Sequence, residues 1–186
     1  MSRFGIVAVL VVVPAAFAGD EPPKSQVNSQ KIAVSAVPDK ARQAADQVAK
    51  GAKWETAYKH TKEAGPTKLW YRLIGIQSQR TLKQEVQADG DVKEVEKFVD
   101  KAVQVRVLPE GEVVDMWTDV TPKEVPAVVM RALRAKESGA EVTFISSVRV
   151  GGKKEIVGYR IEVKTAGGEK LTYSITADGK NVEKEQ

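Results

Sequence analysis

The feature that most limits the possible folds is a strict alternation of apolar and polar residues near the C-terminus. Residues 159–163 and 171–175 carry Tyr, Ile, Val, Leu, Tyr and Ile at their odd positions and polar residues between them. A period of two places all the apolar side chains on one face of a strand. Asp178-Gly179, which follows, is typical of a tight hairpin. The pattern therefore predicts antiparallel strands that need a hydrophobic cover on one face only.

Two short helices are predicted where Pro38 and Pro126 precede one-sided apolar patterns, because proline is well tolerated at the start of a helix. Gly51 and Gly139 stand where each helix should end. The core-facing positions are Ala41, Ala44, Ala45 and Val48 in the first helix, and Val129, Ala132, Leu133 and Lys136 in the second. Because the first helix presents mostly alanine, we expect it to lie close to its sheet and to bury little area.

Short motifs recur along the chain in a constant order. Val37-Pro38 returns as Val125-Pro126, and Tyr71 returns as Tyr159, both 88 residues later. Recurrence at a fixed period is the usual signature of a repeated unit. The sequence therefore predicts an α+β fold of two tandem repeats, each a short helix packed on an antiparallel β-sheet.

A further hairpin is predicted between the two copies. Val103, Val105 and Val107 alternate with polar or longer residues, residues 109–112 make a turn, and residues 113–117 return. The first repeat could end at Lys97 or at Trp117. The expected organisation is a signal peptide at 1–18, a flexible tail at 19–36, a first repeat with the additional hairpin at 37–118, and a second repeat at 119–186.

The recurring pattern of Val-Pro, a short helix, Gly-Ala, alternating strands and Asp-Gly resembles the PepSY-like family of small secreted bacterial domains. That family includes a branch named for its similarity to the β-lactamase inhibitor protein. Residues 125–184 are the better match, whereas the first copy departs through its alanine-rich helix and longer connections. The resemblance implies a helix-on-sheet unit and a non-catalytic role in binding or inhibiting peptidases or other envelope enzymes.

The composition excludes several kinds of chemistry. There is no cysteine, so disulfides, thiolate metal sites and cysteine nucleophiles are impossible. His60 is the only histidine, and its polar neighbours predict an exposed strand end rather than a catalytic or metal-binding residue. The net charge of +4 comes from interspersed charges, which does not indicate nucleic-acid binding. We expect no enzyme activity, no metal and no cofactor.

Trp70 is the most informative side chain for function. If Tyr71 faces the helix, Trp70 and Ile74 must point to the other face of the same strand. A strand that is apolar on both faces needs a second cover. The hairpin at 103–117, with Trp117, could supply that cover, or the aromatic face could be an exposed binding surface. The candidate partner-binding residues are Trp70, Ile74 and Trp117.

These observations predict an exported, non-enzymatic module that binds another protein of the envelope or extracellular space. An inhibitor or modulator of a peptidase or other envelope enzyme fits the family resemblance. The alternative is a structural protein, or a carrier whose sheet cups a small ligand or lipid. A deep apolar pocket would favour the carrier, and an open aromatic sheet face would favour the protein-binding module.

Residues 1–18 have the pattern of a secretory signal peptide. Arg3 supplies a positive charge, Ile6 to Val13 form a short apolar run, and Ala16-Phe17-Ala18 fits the small-x-small cleavage pattern. The apolar run is shorter than the ~20 residues of a spanning helix. We therefore expect a periplasmic or secreted protein without a transmembrane segment after cleavage.

Export predicts a specific N-terminus. Because cleavage should follow Ala18, the exported protein should begin at Gly19, and intact-mass measurement would establish this. Exported protein that retains residues 1–18 would contradict the signal-peptide prediction.

Overall fold

A computed structural model describes residues 27–62, 69–87 and 90–185. The predicted signal peptide at 1–18 lies outside them. The described residues form a single antiparallel sheet of nine strands in the order β1 to β9, with two ten-residue helices. The strands are β1 Val27–Ile32, β2 Lys53–Lys62, β3 Leu69–Val86, β4 Val92–Val107, β5 Val113–Asp119, β6 Glu141–Val150, β7 Gly158–Lys164, β8 Lys170–Thr176 and β9 Val182–Lys184. The helices are α1 Asp39–Val48 and α2 Ala127–Lys136.

The prediction of two tandem helix-on-sheet repeats is wrong. Every strand pairs with its neighbours in sequence, and β5 pairs with β6 from Asp115↔Val150 to Asp119↔Ser146. This pairing joins the two predicted units into one ladder, and β5 runs across the predicted boundary at residue 118. The architecture is therefore mostly β, with two short helices on a continuous sheet.

Strand β1 is a second departure from expectation. The segment Val27–Ile32, predicted as part of a flexible tail, pairs in six successive positions with β2. Ile32 and Val34 then pack against buried residues of the core. Backbone pairing along β2 and this apolar contact hold the segment as an edge strand despite its polar sequence.

Both helices cover the same face of the sheet, as the strand register requires. Ala41 and Ala45 of α1 are fully buried in a cluster that includes Tyr71 and Leu73. A second cluster surrounds Val129 and Leu133 of α2 and contains Val125, Ile145, Tyr159, Ile161, Val163, Leu171, Tyr173 and Ile175. The short alanine side chains of α1 allow a close approach to the sheet. Neither helix is long and apolar enough to cross a membrane, and no other helix of the described residues is either.

The hairpin of β3 and β4 extends well beyond the rest of the sheet. Pairing of β2 with β3 ends at Ile76, and pairing of β5 with β4 ends at Val103. In the part of the chain that the structure describes, residues 78–100 pair only with each other, and we call them the hairpin arm. The arm exposes Leu82, Val86, Val92 and Phe98. By alternation, these side chains continue the face opposite the helices.

Burial predicts how much two aromatic residues contribute to stability. Tyr159 is 4% exposed beneath α2, whereas Phe98 on the arm is 69% exposed. Tyr159→Ala should lower the free energy of unfolding by about 3–5 kcal/mol, because it leaves a large cavity. Phe98→Ala should change it by less than about 0.5 kcal/mol. Chemical denaturation of both variants tests this, and similar losses in the two would contradict the core assignment.

Candidate binding groove

The face of the sheet opposite the helices contains a groove of about 580 Å³. Alternation on β3 places Tyr71 and Leu73 in the core and Trp70, Arg72 and Ile74 on this open face. The three residues predicted to bind a partner, Trp70, Ile74 and Trp117, all line the groove. Their convergence follows from the register, since Ile74 pairs with Gln104 and Gln104 pairs with Trp117.

The hairpin at 103–117 does not cover Trp70, contrary to one of the two alternatives. Strands β4 and β5 lie beside β3 in the same sheet, and Trp117 stands on the same face as Ile74. Trp70 is half-buried, with one side of its ring stacked on a neighbour. The second apolar face of β3 therefore forms part of an open concave surface.

The neighbour of Trp70 is His60, and the prediction of an exposed histidine is wrong. The two rings lie 5.2 Å apart between centroids and 6° from parallel. His60 is only 7% exposed, because its strand, β2, lies between β1 and β3 in the sheet. Its cross-strand partners are Ser29 on β1 and Trp70 on β3. Burial lowers the pKa of His60 below its usual value of 6.5, and the positive charges of Arg72 and Arg106 lower it further.

One partly buried ion pair, Arg106 with Asp115, contributes to the electrostatics of the groove. Arg106 Nε donates to both carboxylate oxygens of Asp115, at 2.8 and 3.0 Å, and Nη2 donates to the same group. Asp115 is buried, and this hydrogen bonding raises the pKa of Arg106. Arg72 stands directly opposite Arg106 on β3 and lies over the Tyr58 ring, 4.9 Å from its centroid. No carboxylate of the described residues forms an ion pair with Arg72.

At the other end of the groove one arginine pairs with two carboxylates. Arg160 Nε donates to Glu185 at 2.8 Å, Nη1 donates to Glu162 at 3.1 Å, and the guanidinium lies 5.6 Å from the Trp117 ring centroid. Burial raises the pKa of Asp119, an effect that Lys101 partly opposes. Among the described residues of the groove, the guanidinium without an acidic partner is therefore Arg72.

Four buried polar atoms in residues 27–62, 69–87 and 90–185 have no hydrogen-bond partner, and all four belong to residues that line the groove. They are His60 Nε2, Arg72 Nε, Trp117 Nε1 and Ser146 Oγ. Buried polar groups are normally paired, since leaving one unpaired costs about 1–3 kcal/mol. Sequence reasoning missed His60, Arg72 and Ser146, because only the register across several strands brings them together.

Among the described residues that line the groove, the one serine, Ser146, has no base as a hydrogen-bond partner. Ser147, next to Ser146, donates to the Thr118 carbonyl at 3.3 Å rather than to a base. Among the described residues, no three His, Asp or Glu side chains form a group that could hold a metal ion. The groove is lined by aromatic rings and guanidinium groups, and four polar atoms buried in its walls have no hydrogen-bond partner.

No protein-family model matches the sequence, and neither does any curated protein. Three solved structures from Bacteroides species are similar to the chain, each with a TM-score of 0.49. A protein from Bacteroides eggerthii, provisionally described as periplasmic, is 20% identical over 80% of this chain and 88% of its own. A DUF2874 family protein from Bacteroides uniformis is 19% identical over 79% of this chain and 88% of its own. A BLIP-like protein from Bacteroides fragilis is 14% identical over 80% of this chain and 85% of its own. At these values the likeness carries no information on what the groove binds.

The lowered pKa of His60 makes two properties measurable: the midpoint of its titration and the change of the free energy of unfolding with pH. Its NMR signals are unambiguous because the chain has one histidine. The midpoint should lie below 6.5 in the folded protein, and Arg72→Gln should raise it by removing a nearby positive charge. Arg42→Gln, on α1, should leave it unchanged.

The sign of the effect on stability follows from the lowered pKa. The unfolded chain binds the proton first as the pH falls, so the contribution of neutral His60 is fully present above about pH 6.5 and is lost as the pH falls through the folded pKa. Chemical denaturation measured across this pH range should show the free energy of unfolding falling as the pH falls. In His60→Gln the part of this fall that comes from His60 should be absent. A folded midpoint at or above 6.5 would contradict the assigned environment.

Proposed function

We propose that this chain is an exported, non-enzymatic module that binds another protein of the envelope or extracellular space through the open face of its sheet. The observation that carries the proposal is the convergence of Trp70, Ile74 and Trp117 in one groove on a face that neither helix covers. Tryptophan in such a position offers a large contact area at low entropic cost and is enriched among the residues that dominate interfaces.

The hairpin arm supports a protein partner over a small ligand. Its exposed Leu82, Val86, Val92 and Phe98 continue the face of the groove. Clusters of exposed apolar side chains beside a groove are typical of protein interaction sites. A carrier of a lipid would need an enclosed apolar cavity, whereas this groove is open and contains Arg72, Arg106 and Arg160.

The location and the class of partner are further parts of the proposal. The pattern of residues 1–18 supports export to the periplasm or the exterior. The resemblance of residues 125–184 to PepSY-like domains supports a peptidase or another envelope enzyme as the partner, with inhibition or modulation as the result.

The three tryptophans provide a matched test. Trp70 and Trp117 line the groove, whereas Trp54 lies on the helix side, where its Nε1 donates to Asp46 at 2.7 Å. The mature chain should be used to capture its partner from an envelope extract, and the affinity for that partner should then be measured. Trp70→Ala and Trp117→Ala should each weaken binding by at least about 2 kcal/mol, or about 30-fold. Trp54→Ala should lower stability and leave binding near that of the parent.

Circular dichroism and thermal unfolding must first show that each variant is folded. Ile74→Ala provides a milder groove variant if the loss of the Trp70–His60 stack prevents folding. Folded groove variants that bind the same partner as tightly as the parent would refute the proposal. Retention of a small apolar molecule instead of a protein would favour the carrier.

A further inference from the structure

The unpaired atoms of the groove define the chemistry of what it binds. Arg72 Nε and Trp117 Nε1 can only donate hydrogen bonds, so their missing partners are acceptors. His60 and Ser146, which are 7% and 2% exposed, each leave a further polar atom unpaired. Unpaired atoms gathered in one groove indicate a ligand that brings oxygen acceptors to it.

The charges indicate where a negatively charged group would bind. Arg72 and Arg106 face each other across β3 and β4, and like charges in that position repel. Asp115 already pairs with Arg106, and no carboxylate of the described residues forms an ion pair with Arg72. A carboxylate supplied from outside would pair with Arg72 and relieve the repulsion, and the guanidinium group matches its geometry.

The side chains around Arg72 describe what should carry the carboxylate. Trp70 and Ile74 precede and follow it on the same face of β3, and the Trp70 ring is already held by its stack on His60. These neighbours favour an apolar or aromatic group next to the carboxylate. The Trp117 ring, two strands away, lines the same groove and offers an apolar contact farther along the ligand.

We infer that the Arg72 end of the groove binds a carboxylate of a polypeptide, carried next to an apolar side chain. This inference rests on the proposed function, since it specifies which chemical group of the protein partner enters the groove. The carboxylate has two sources in a polypeptide, the chain end or an Asp or Glu side chain.

Three short peptides separate these sources. Acetyl-Ala-Ala-Phe with a free terminal carboxylate represents the chain end, acetyl-Ala-Glu-Phe-amide represents the side chain, and acetyl-Ala-Ala-Phe-amide has no carboxylate. Binding to the mature chain should be followed through the His60 ring signals and through fluorescence in a Trp54→Phe background, which leaves the two groove tryptophans. At least one carboxylate peptide should bind about 10-fold or more tightly than the uncharged peptide.

Substitutions test whether Arg72 is the residue responsible. Arg72→Gln should remove the preference for the carboxylate peptides, whereas Arg72→Lys should retain part of it through the charge alone. Arg42→Gln is the matched control, because Arg42 lies on α1 and pairs with Asp39 at 2.5 Å. If Arg72→Gln does not fold, the Lys variant and the peptide comparison still test the inference.

The possible results separate this inference from the proposed function. Equal binding of all three peptides, no binding of any, or an unchanged preference in Arg72→Gln would overturn the carboxylate site. Partner capture could still depend on Trp70 and Trp117 in that case, and the proposed function would stand. Carboxylate binding through Arg72 without any effect of Trp70→Ala on partner capture would support the site and refute the protein-binding function.

Discussion

The structure depends on one constraint: nine strands form a continuous ladder, and two ten-residue helices are available to cover it. Both helices lie on the same face, where they complete two hydrophobic clusters. Among the described residues no helix packs against the other face, which therefore cannot be uniformly apolar. Its side chains are instead a mixture of aromatic rings, charged pairs and unpaired polar atoms. The groove is thus a direct consequence of how the sheet is covered.

Local patterns predicted local structure well. The helices following Pro38 and Pro126, the hairpin at 103–117 and the opposite orientations of Trp70 and Tyr71 are confirmed, because each depends on neighbouring residues alone. The tandem-repeat prediction failed for the same reason. Val-Pro, Gly-Ala and Asp-Gly are signals for helix starts, helix ends and turns, and each acts on its own neighbours only. They contain no information on whether β5 pairs with β6.

The candidate site was predictable only in part. Alternation on β3 identified Trp70 and Ile74, since the face of a residue follows from its parity, and Trp117 was named as part of the neighbouring hairpin. His60, Arg72 and Ser146 escaped because their burial depends on partners in other strands. The polar surroundings of His60 in sequence suggested solvent, yet pairing with β1 and stacking on Trp70 remove it from water. Long-range register, which no local pattern encodes, decides the polar chemistry of the groove.

The groove and the hairpin arm have complementary physical roles in the proposed binding. A groove of about 580 Å³ accommodates only a short segment of a partner, whereas a stable protein interface buries about 800 Å² on each side. The arm continues the groove face for a further two-stranded stretch, with exposed apolar side chains and the cross-strand ion pair of Arg80 with Glu96. Contact along the arm would supply area, whereas the unpaired donors of the groove would supply selectivity, because a partner without acceptors would leave them buried and unpaired. A partner that fits this face must therefore meet two requirements. It must offer an apolar surface along the arm and an oxygen-bearing group at Arg72.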